Sequence, residues 1–183
     1  DTTKLEITEK DLQDLDFGIA QGVDYIAQSY VGVPDDVLAM RAEIEKRGAH
    51  TPIIAKIERA EAVAQLDAII AVADAIMIAR GDLGEAVPLE QIPFIERDII
   101  LKCNAAGKPV ITATQMMLSM VSSPVPTRAE VTDVAFAVIE GSDAVMLSEE
   151  TARGAYPVET VTFMEKIAVE AEKHREAQAF HSL

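Results

Sequence analysis

Five short apolar runs, each followed by a longer amphipathic stretch, constrain this chain more than any other feature. They are Tyr25-Ile26-Ala27 reaching Val31, Ile53-Ile54-Ala55-Lys56-Ile57, Ala75-Ile76-Met77-Ile78-Ala79, Pro109-Val110-Ile111-Thr112-Ala113 and Ala144-Val145-Met146-Leu147. They are near-continuous rather than alternating, the pattern of parallel strands covered on both faces. The stretches around them carry apolar stripes at helical spacing. These are Leu12, Leu15 and Ile19; Val37, Met40 and Ile44; Val63, Leu66 and Ile70; Ile92, Ile95 and Ile99; Val131, Val134 and Val138; and Val161, Met164 and Ala168. Thr127-Arg128-Ala129-Glu130 matches a capping box and Thr8-Glu9-Lys10-Asp11 approximates one. Gly48, Gly107 and Gly141 fall at expected helix C-termini, and Pro88 and Pro157 suit first turns. A helix followed by five strand–helix units reads as α/β with a parallel sheet. A doubly wound open sheet and part of a (β/α)8 barrel both fit, and five strands fall short of the eight that close a barrel. Both place chemistry at the C-terminal ends of strands.

Composition narrows the function. With 183 residues, 49% of them hydrophobic and 26% charged, the chain can bury a sizeable core. Sixteen Lys and Arg against 31 Asp and Glu give a net charge of −15. Such a surface repels nucleic acid and anionic membranes. It leaves room for a small anionic substrate in a locally positive site, and it suits cation binding by carboxylates. Cys103, the single cysteine, excludes an internal disulfide and fits a reducing compartment. No apolar run is long enough to span a membrane, and no secretory signal opens the chain. The opening Asp1-Thr2-Thr3, without Met, suggests a processed chain or a segment of a longer one.

Every strand delivers polar groups to the same edge: Ser29 and Tyr30, then Lys56-Ile57-Glu58, Arg80-Gly81-Asp82-Leu83-Gly84, Thr114-Gln115, and Ser148-Glu149-Glu150-Thr151. Lys56 and Glu58, two apart on a strand, share a face. A lysine inside an apolar strand needs a ligand or a partner, so it is either a functional cation or an ion pair with Glu58 that tolerates burial. Glu58 and Asp82 lie on consecutive strand ends. They suit Mg²⁺ or Mn²⁺ shared with substrate oxygens, or else are two solvated loop acids. Arg80 to Gly84 reads as a tight turn leading to a helix, able to hold a carboxylate or phosphate on backbone N–H groups, or as an ordinary connection. The stretch 115–126 is long for such a loop, and its Met residues suit packing. Cys103 reads as core. His50, His174 and His181 match no ligand or triad spacing. The charged tail from Glu170 to Glu176 reads as a solvated helix.

These residues identify a family resemblance. Ile54-Ala55-Lys56-Ile57-Glu58, Ala79-Arg80-Gly81-Asp82-Leu83-Gly84, Gly107-Lys108-Pro109 through Thr114-Gln115-Met116, Pro126-Thr127-Arg128-Ala129-Glu130 and Asp143-Ala144-Val145-Met146-Leu147-Ser148 resemble pyruvate kinase. The motifs run in family order from Leu5 to about Glu172. The resemblance implies a TIM barrel, with residues 1–183 its later part, from the helix before strand four through strand eight. The lid domain, the C-terminal regulatory domain and the main K⁺ ligands then lie outside this chain. It implies phosphoryl transfer from phosphoenolpyruvate to ADP, giving pyruvate and ATP, in a cytoplasmic homo-oligomer that is a tetramer in the family.

It also implies roles. Lys56 stabilises the transferring phosphoryl group and the enolate, and Glu58 and Asp82 hold the divalent ion. Gly81, Asp82 and Thr114 hold the substrate carboxylate, the first two through backbone N–H; Arg80, from its charge rather than from the resemblance, is a further candidate for binding the anionic substrate. Ser29 positions the lysine. Thr114, Ser148 and Glu150 belong to the protonation of the enolate, and Arg128 to a subunit interface. The chain departs from the family at Glu149, where Gly is usual, at Glu85-Ala86, at Gly32-Val33-Pro34 and at Phe136. Two other readings remain open at this point: a Mg²⁺-dependent pyruvate-enolate aldolase or lyase on the same barrel type, and a non-catalytic truncated module.

Overall fold

The computed structural model describes residues 6–180. Asp1–Thr3, Leu5 and His181 lie outside these residues. The chain forms two compact units, one ending at Pro109 and the other beginning at Val110.

The first unit runs α1 (Glu9–Gln21), β1 (Ile26–Val31), α2 (Pro34–Lys46), β2 (Ile53–Ile57), α3 (Ala60–Ala64), α4 (Leu66–Val72), β3 (Ala75–Ala79) and α5 (Arg80–Ala86), then a 3-10 turn (Leu89–Gln91) and α6 (Ile92–Ala106). β1 pairs in parallel with β2, with Ile26 opposite Ile53, and β2 with β3, with Ile54 opposite Ala75. The second unit runs β4 (Val110–Ala113), a 3-10 turn (Leu118–Val121), α7 (Arg128–Glu140), β5 (Ala144–Met146), α8 (Glu149–Ala152) and α9 (Pro157–Phe180). β4 and β5 pair in parallel, with Ile111 opposite Ala144. The α/β class with parallel strands is therefore as expected, and five strands among the described residues do not close a barrel.

Strand starts are tied by a repeated device. Asp74, just before β3, accepts the Ile53 N–H at 2.8 Å, and Asp143, just before β5, accepts the Val110 N–H at 2.9 Å. Each carboxylate satisfies the first N–H of the strand that precedes it, a group the ladder would otherwise leave unpaired. The expected capping boxes at Thr8–Asp11 and Thr127–Glu130 both form. Glu130 reaches further, accepting from the Ser119 N–H at 2.7 Å and so anchoring the long loop after β4 to α7. Met116, Met117 and Met120 on that loop are fully buried against Val134, Ala137, Met164 and Ile167. Cys103 is buried core.

Five local expectations are corrected. Arg80 to Gly84 is not a turn but the body of α5, which starts immediately after β3. The single helix expected through Val63, Leu66 and Ile70 is broken at Gln65 (φ −108°, ψ 14°) into α3 and α4. Pro88 precedes the 3-10 turn, and Pro93 occupies the first turn of α6. On α9 the buried stripe is Thr160, Met164, Ile167 and Ala171, while Val161 is 53% exposed. Finally, β2 alternates: Ile53, Ala55 and Ile57 are buried, Ile54 and Lys56 only partly so. One face of β2 is therefore open rather than covered. The tail from Glu170 remains helical, with Glu170, Glu172, Lys173, His174 and Arg175 exposed. Among the described residues no helix is long and apolar enough to cross a membrane.

The turn after α8 depends on Gly154. A Cβ there would fall inside hard-sphere contact with the Glu150 carbonyl oxygen, with the carbonyl carbon at 3.0 Å. Backbone cannot yield as a flexible side chain would. Gly154→Ala is expected to cost about 1–3 kcal/mol, the scale of an overpacked site. A urea midpoint unchanged from the parent chain would contradict this.

Candidate active site

The open face of β2 carries the chemistry of the first unit. Lys56, with its side chain 24% exposed, donates to Ser29 Oγ at 2.9 Å, and its ammonium lies 2.9 Å from Glu58 Oε1. The pairing follows from the spacing of two along the strand, which puts both side chains on one face. Ser29 reaches the same point from β1. Glu58 is 2% exposed, and its second oxygen, Oε2, accepts the Tyr30 N–H at 2.5 Å. The carboxylate is thus held at both ends, by a cation and by a backbone donor, as a buried charge requires.

Tyr30 links this group to the next strand end. Its φ is +56°, left-handed for a residue with a side chain. Its hydroxyl donates to Asp82 Oδ1 at 3.5 Å, and Asp82 is exposed on α5. The Asp82 and then the Glu58 carboxylates hold the phenol above its usual pKa, so it stays protonated as a donor. Tyr30, Glu58, Arg59, Asp82, Glu85 and Ala86 line an open cavity of about 390 Å³. Tyr30 was visible in the sequence only as the residue after Ser29.

Arg80 is 8% exposed and faces Glu96 on α6 at 3.3 Å. Glu96 carried no signal of its own in the sequence, since it lies sixteen residues further on, on the buried face of α6. Gly81 is the second residue of α5 and only part-buried.

In the second unit, Thr114 follows β4 with φ +67° and Gln115 with φ +56°. A β-branched residue in this region is a genuine backbone outlier, and such outliers cluster at functional sites. The Thr114 hydroxyl donates to the Ala113 carbonyl at 2.7 Å. Ser148 caps α8, and its N–H donates to Glu150 Oε2 at 2.8 Å. The other Glu150 oxygen accepts the Met117 N–H at 3.1 Å, and Glu150 is 1% exposed. Glu149, where the family usually has Gly, opens α8, and its carboxylate pairs with Arg153 at 2.6 Å. Arg128 is exposed on the first turn of α7.

Glu58 and Asp82 suit a hard divalent cation. They are oxygen donors, Glu58 just past β2 and Asp82 in the first turn of α5 after β3, lining one cavity and linked through Tyr30. No group of three or more His, Cys, Asp or Glu able to hold a metal ion occurs among the described residues. Two protein carboxylates, with the other positions left to water and substrate, is the usual arrangement for Mg²⁺.

The family model described as pyruvate kinase, barrel domain, matches residues 3–161. The chain is 52% identical over 177 residues to pyruvate kinase of Thermococcus litoralis, covering 97% of this chain and 37% of the relative. It is 55% identical over 168 residues to that of Bacillus licheniformis, covering 91% and 29%. Against the Dictyostelium discoideum enzyme it is 54% identical over 166 residues, covering 91% and 33%. The chain thus spans about a third of the length of these curated relatives. A match over most of the chain, on a parallel α/β framework with the Lys56–Glu58 pair at a strand end, shows that this chain belongs to the pyruvate kinase barrel-domain family.

Proposed function

We propose that this chain is the later portion, residues 1–183, of a pyruvate kinase catalytic barrel. The proposed reaction is phosphoryl transfer from phosphoenolpyruvate to ADP, giving pyruvate and ATP. The observation that carries it is the Lys56–Glu58 pair linked through Tyr30 to Asp82, with Glu58, Tyr30 and Asp82 lining one cavity of the first unit. Phosphoryl transfer needs positioning and charge stabilisation more than covalent chemistry. Lys56, fixed by Ser29 and Glu58, presents a cation to the transferring phosphoryl group and then to the enolate oxygen. Retro-aldol cleavage of an oxo acid has no comparable need for that charge, which favours the phosphotransferase over the aldolase reading.

Glu58 and Asp82 would hold Mg²⁺ or Mn²⁺. When bound, the ion supplies Lewis-acid neutralisation of phosphate and enolate oxygens. Gly81 and Asp82 would bind the substrate carboxylate through their N–H groups at the start of α5. Arg80, its charge compensated by Glu96, would hold that helix start and add positive potential. In the second unit, the resemblance assigns a carboxylate contact and a role in enolate protonation to Thr114. It assigns a proton relay to Ser148 and Glu150, and a subunit contact to Arg128. K⁺, the nucleotide contacts, a homo-oligomeric assembly and a cytoplasmic location come with the same reading, as do a lid domain and a regulatory domain supplied elsewhere.

A coupled pyruvate assay tests this. A protein carrying the complete barrel is expected to form pyruvate from phosphoenolpyruvate only when ADP and a divalent cation are both present. The 183-residue chain alone is expected to be inactive, because a packed barrel interior takes eight strands. Turnover by this chain as a monomer at ~10 s⁻¹, a typical enzyme rate, would overturn the partial-barrel reading.

A further inference from the structure

Tyr30 has no role in the reaction as set out above, yet it touches both carboxylates. Its main chain is left-handed, φ +56°, at the end of β1. That turn directs its N–H to Glu58 Oε2 at 2.5 Å, while its phenol crosses to Asp82 Oδ1 at 3.5 Å. Glu58 directly follows β2 and Asp82 lies in the first turn of α5 after β3, so the β2–β3 pairing spaces their backbones but does not fix the rotamer of the exposed Asp82 side chain. The tyrosine is 50% exposed and lines the same cavity as both acids, so its ring is placed by these contacts rather than by core packing.

We propose that Tyr30 is a positioning residue that sets the separation of the Glu58 and Asp82 carboxylates and so tunes their affinity for a divalent cation. The proposal rests on the cation reading of those two acids. The two contacts contribute differently. The N–H, present whatever the side chain, orients a carboxylate that is already buried. The hydroxyl restrains Asp82, which is exposed and would otherwise sample several rotamers. Holding Asp82 before the ion arrives lowers the ordering cost of binding, the general route by which preorganisation raises affinity.

The test is Mn²⁺ binding to the intact protein, followed by electron paramagnetic resonance of the free ion, with no substrate present. Tyr30→Phe removes only the hydroxyl, and the Mn²⁺ dissociation constant is expected to rise about fivefold, the scale of one weak hydrogen bond to a carboxylate. The metal-free unfolding midpoint is expected to stay unchanged, since the lost contact is at the surface. Tyr30→Asn keeps the N–H and tolerates the left-handed backbone. It is expected to weaken Mn²⁺ by a similar factor without loss of stability, which a packing role for the ring would not produce. Asp82→Asn is the reference, expected to weaken binding at least tenfold. Unchanged affinity in Tyr30→Phe beside a weakened Asp82→Asn would overturn the positioning role and leave the cation site standing. Mn²⁺ binding indifferent to Asp82→Asn would overturn the cation site itself, and the proposal with it.

Discussion

Replacing Lys56 by Met in a protein carrying the complete barrel is expected to slow turnover by about a thousandfold, the scale of removing a preorganised charge aimed at a transition state. Phosphoenolpyruvate affinity should change far less, because the charge is needed most where the phosphoryl group is in flight. The structure adds a second consequence. Glu58, 2% exposed, would lose its cation and keep the Tyr30 N–H as a donor. Breaking a buried ion pair from one end costs about 3–5 kcal/mol, and the partly exposed Lys56 places this pair toward the lower figure. Turnover must therefore be measured on the folded fraction, with circular dichroism on the same sample. Lys56→Arg retains a cation and is expected to recover stability more fully than rate, since a planar guanidinium does not reproduce the ammonium's contact with Ser29. Near-parental turnover by folded Lys56→Met would remove this lysine from the chemistry.

A comparable loss, in stability rather than rate, is expected at Glu150. Its two oxygens accept the N–H groups of Met117 and Ser148, so one buried side chain ties the loop after β4 to the start of α8. Glu150→Ala would strand both donors and leave a void beside the fully buried Met117. Each unsatisfied buried donor costs about 1–3 kcal/mol, so a total near 3 kcal/mol is expected. Glu150→Gln keeps one acceptor and should lose about half as much. Amide hydrogen exchange at Met117 and Ser148 provides a local readout: both should lose protection in the alanine variant, and one should retain it in the glutamine variant. A loss below about 0.5 kcal/mol would show that the brace is not important to the fold. This role is separate from the proton relay that the family resemblance assigns to the same carboxylate. A stability change without substrate cannot arise from proton transfer to an enolate.

The sequence exposed some of this and hid the rest for physical reasons. The strands were legible because runs such as Ile53–Ile57 are too short for helices and are bounded by turn residues. The break at Gln65 was hidden, because Val63, Leu66 and Ile70 keep helical spacing in the sequence across it, whereas the buried residue of α3 is Ala62. On α9, hydrophobicity pointed to Val161, but the buried position is Thr160, whose hydroxyl is satisfied by the Tyr156 carbonyl at 2.6 Å. A polar residue with its hydrogen bond made locally can enter a core, and no periodicity reveals that. At the site, Lys56 and Glu58 could be paired from their spacing alone. Arg80 and Glu96 could not, since the contact depends on how α6 packs back on α5. Tyr30 was invisible as a linker because its role rests on a backbone angle that no glycine announced.

That backbone angle recurs at Thr114 and Gln115, and none of the three positions is glycine. For L-residues this conformation costs roughly 1–2 kcal/mol each, and glycine or asparagine would relieve it. A lineage selected only for heat tolerance would find these substitutions early, because they stabilise without touching the core. Tyrosine at 30 and threonine at 114 carry that cost in this chain. A consensus-minded engineer who repaired them would gain a sturdier protein and lose, in the first unit, the phenol that reaches Asp82 and, in the second, the Thr114 hydroxyl. At Tyr30 the stability to be gained and the proposed positioning of Asp82 draw on the same backbone angle.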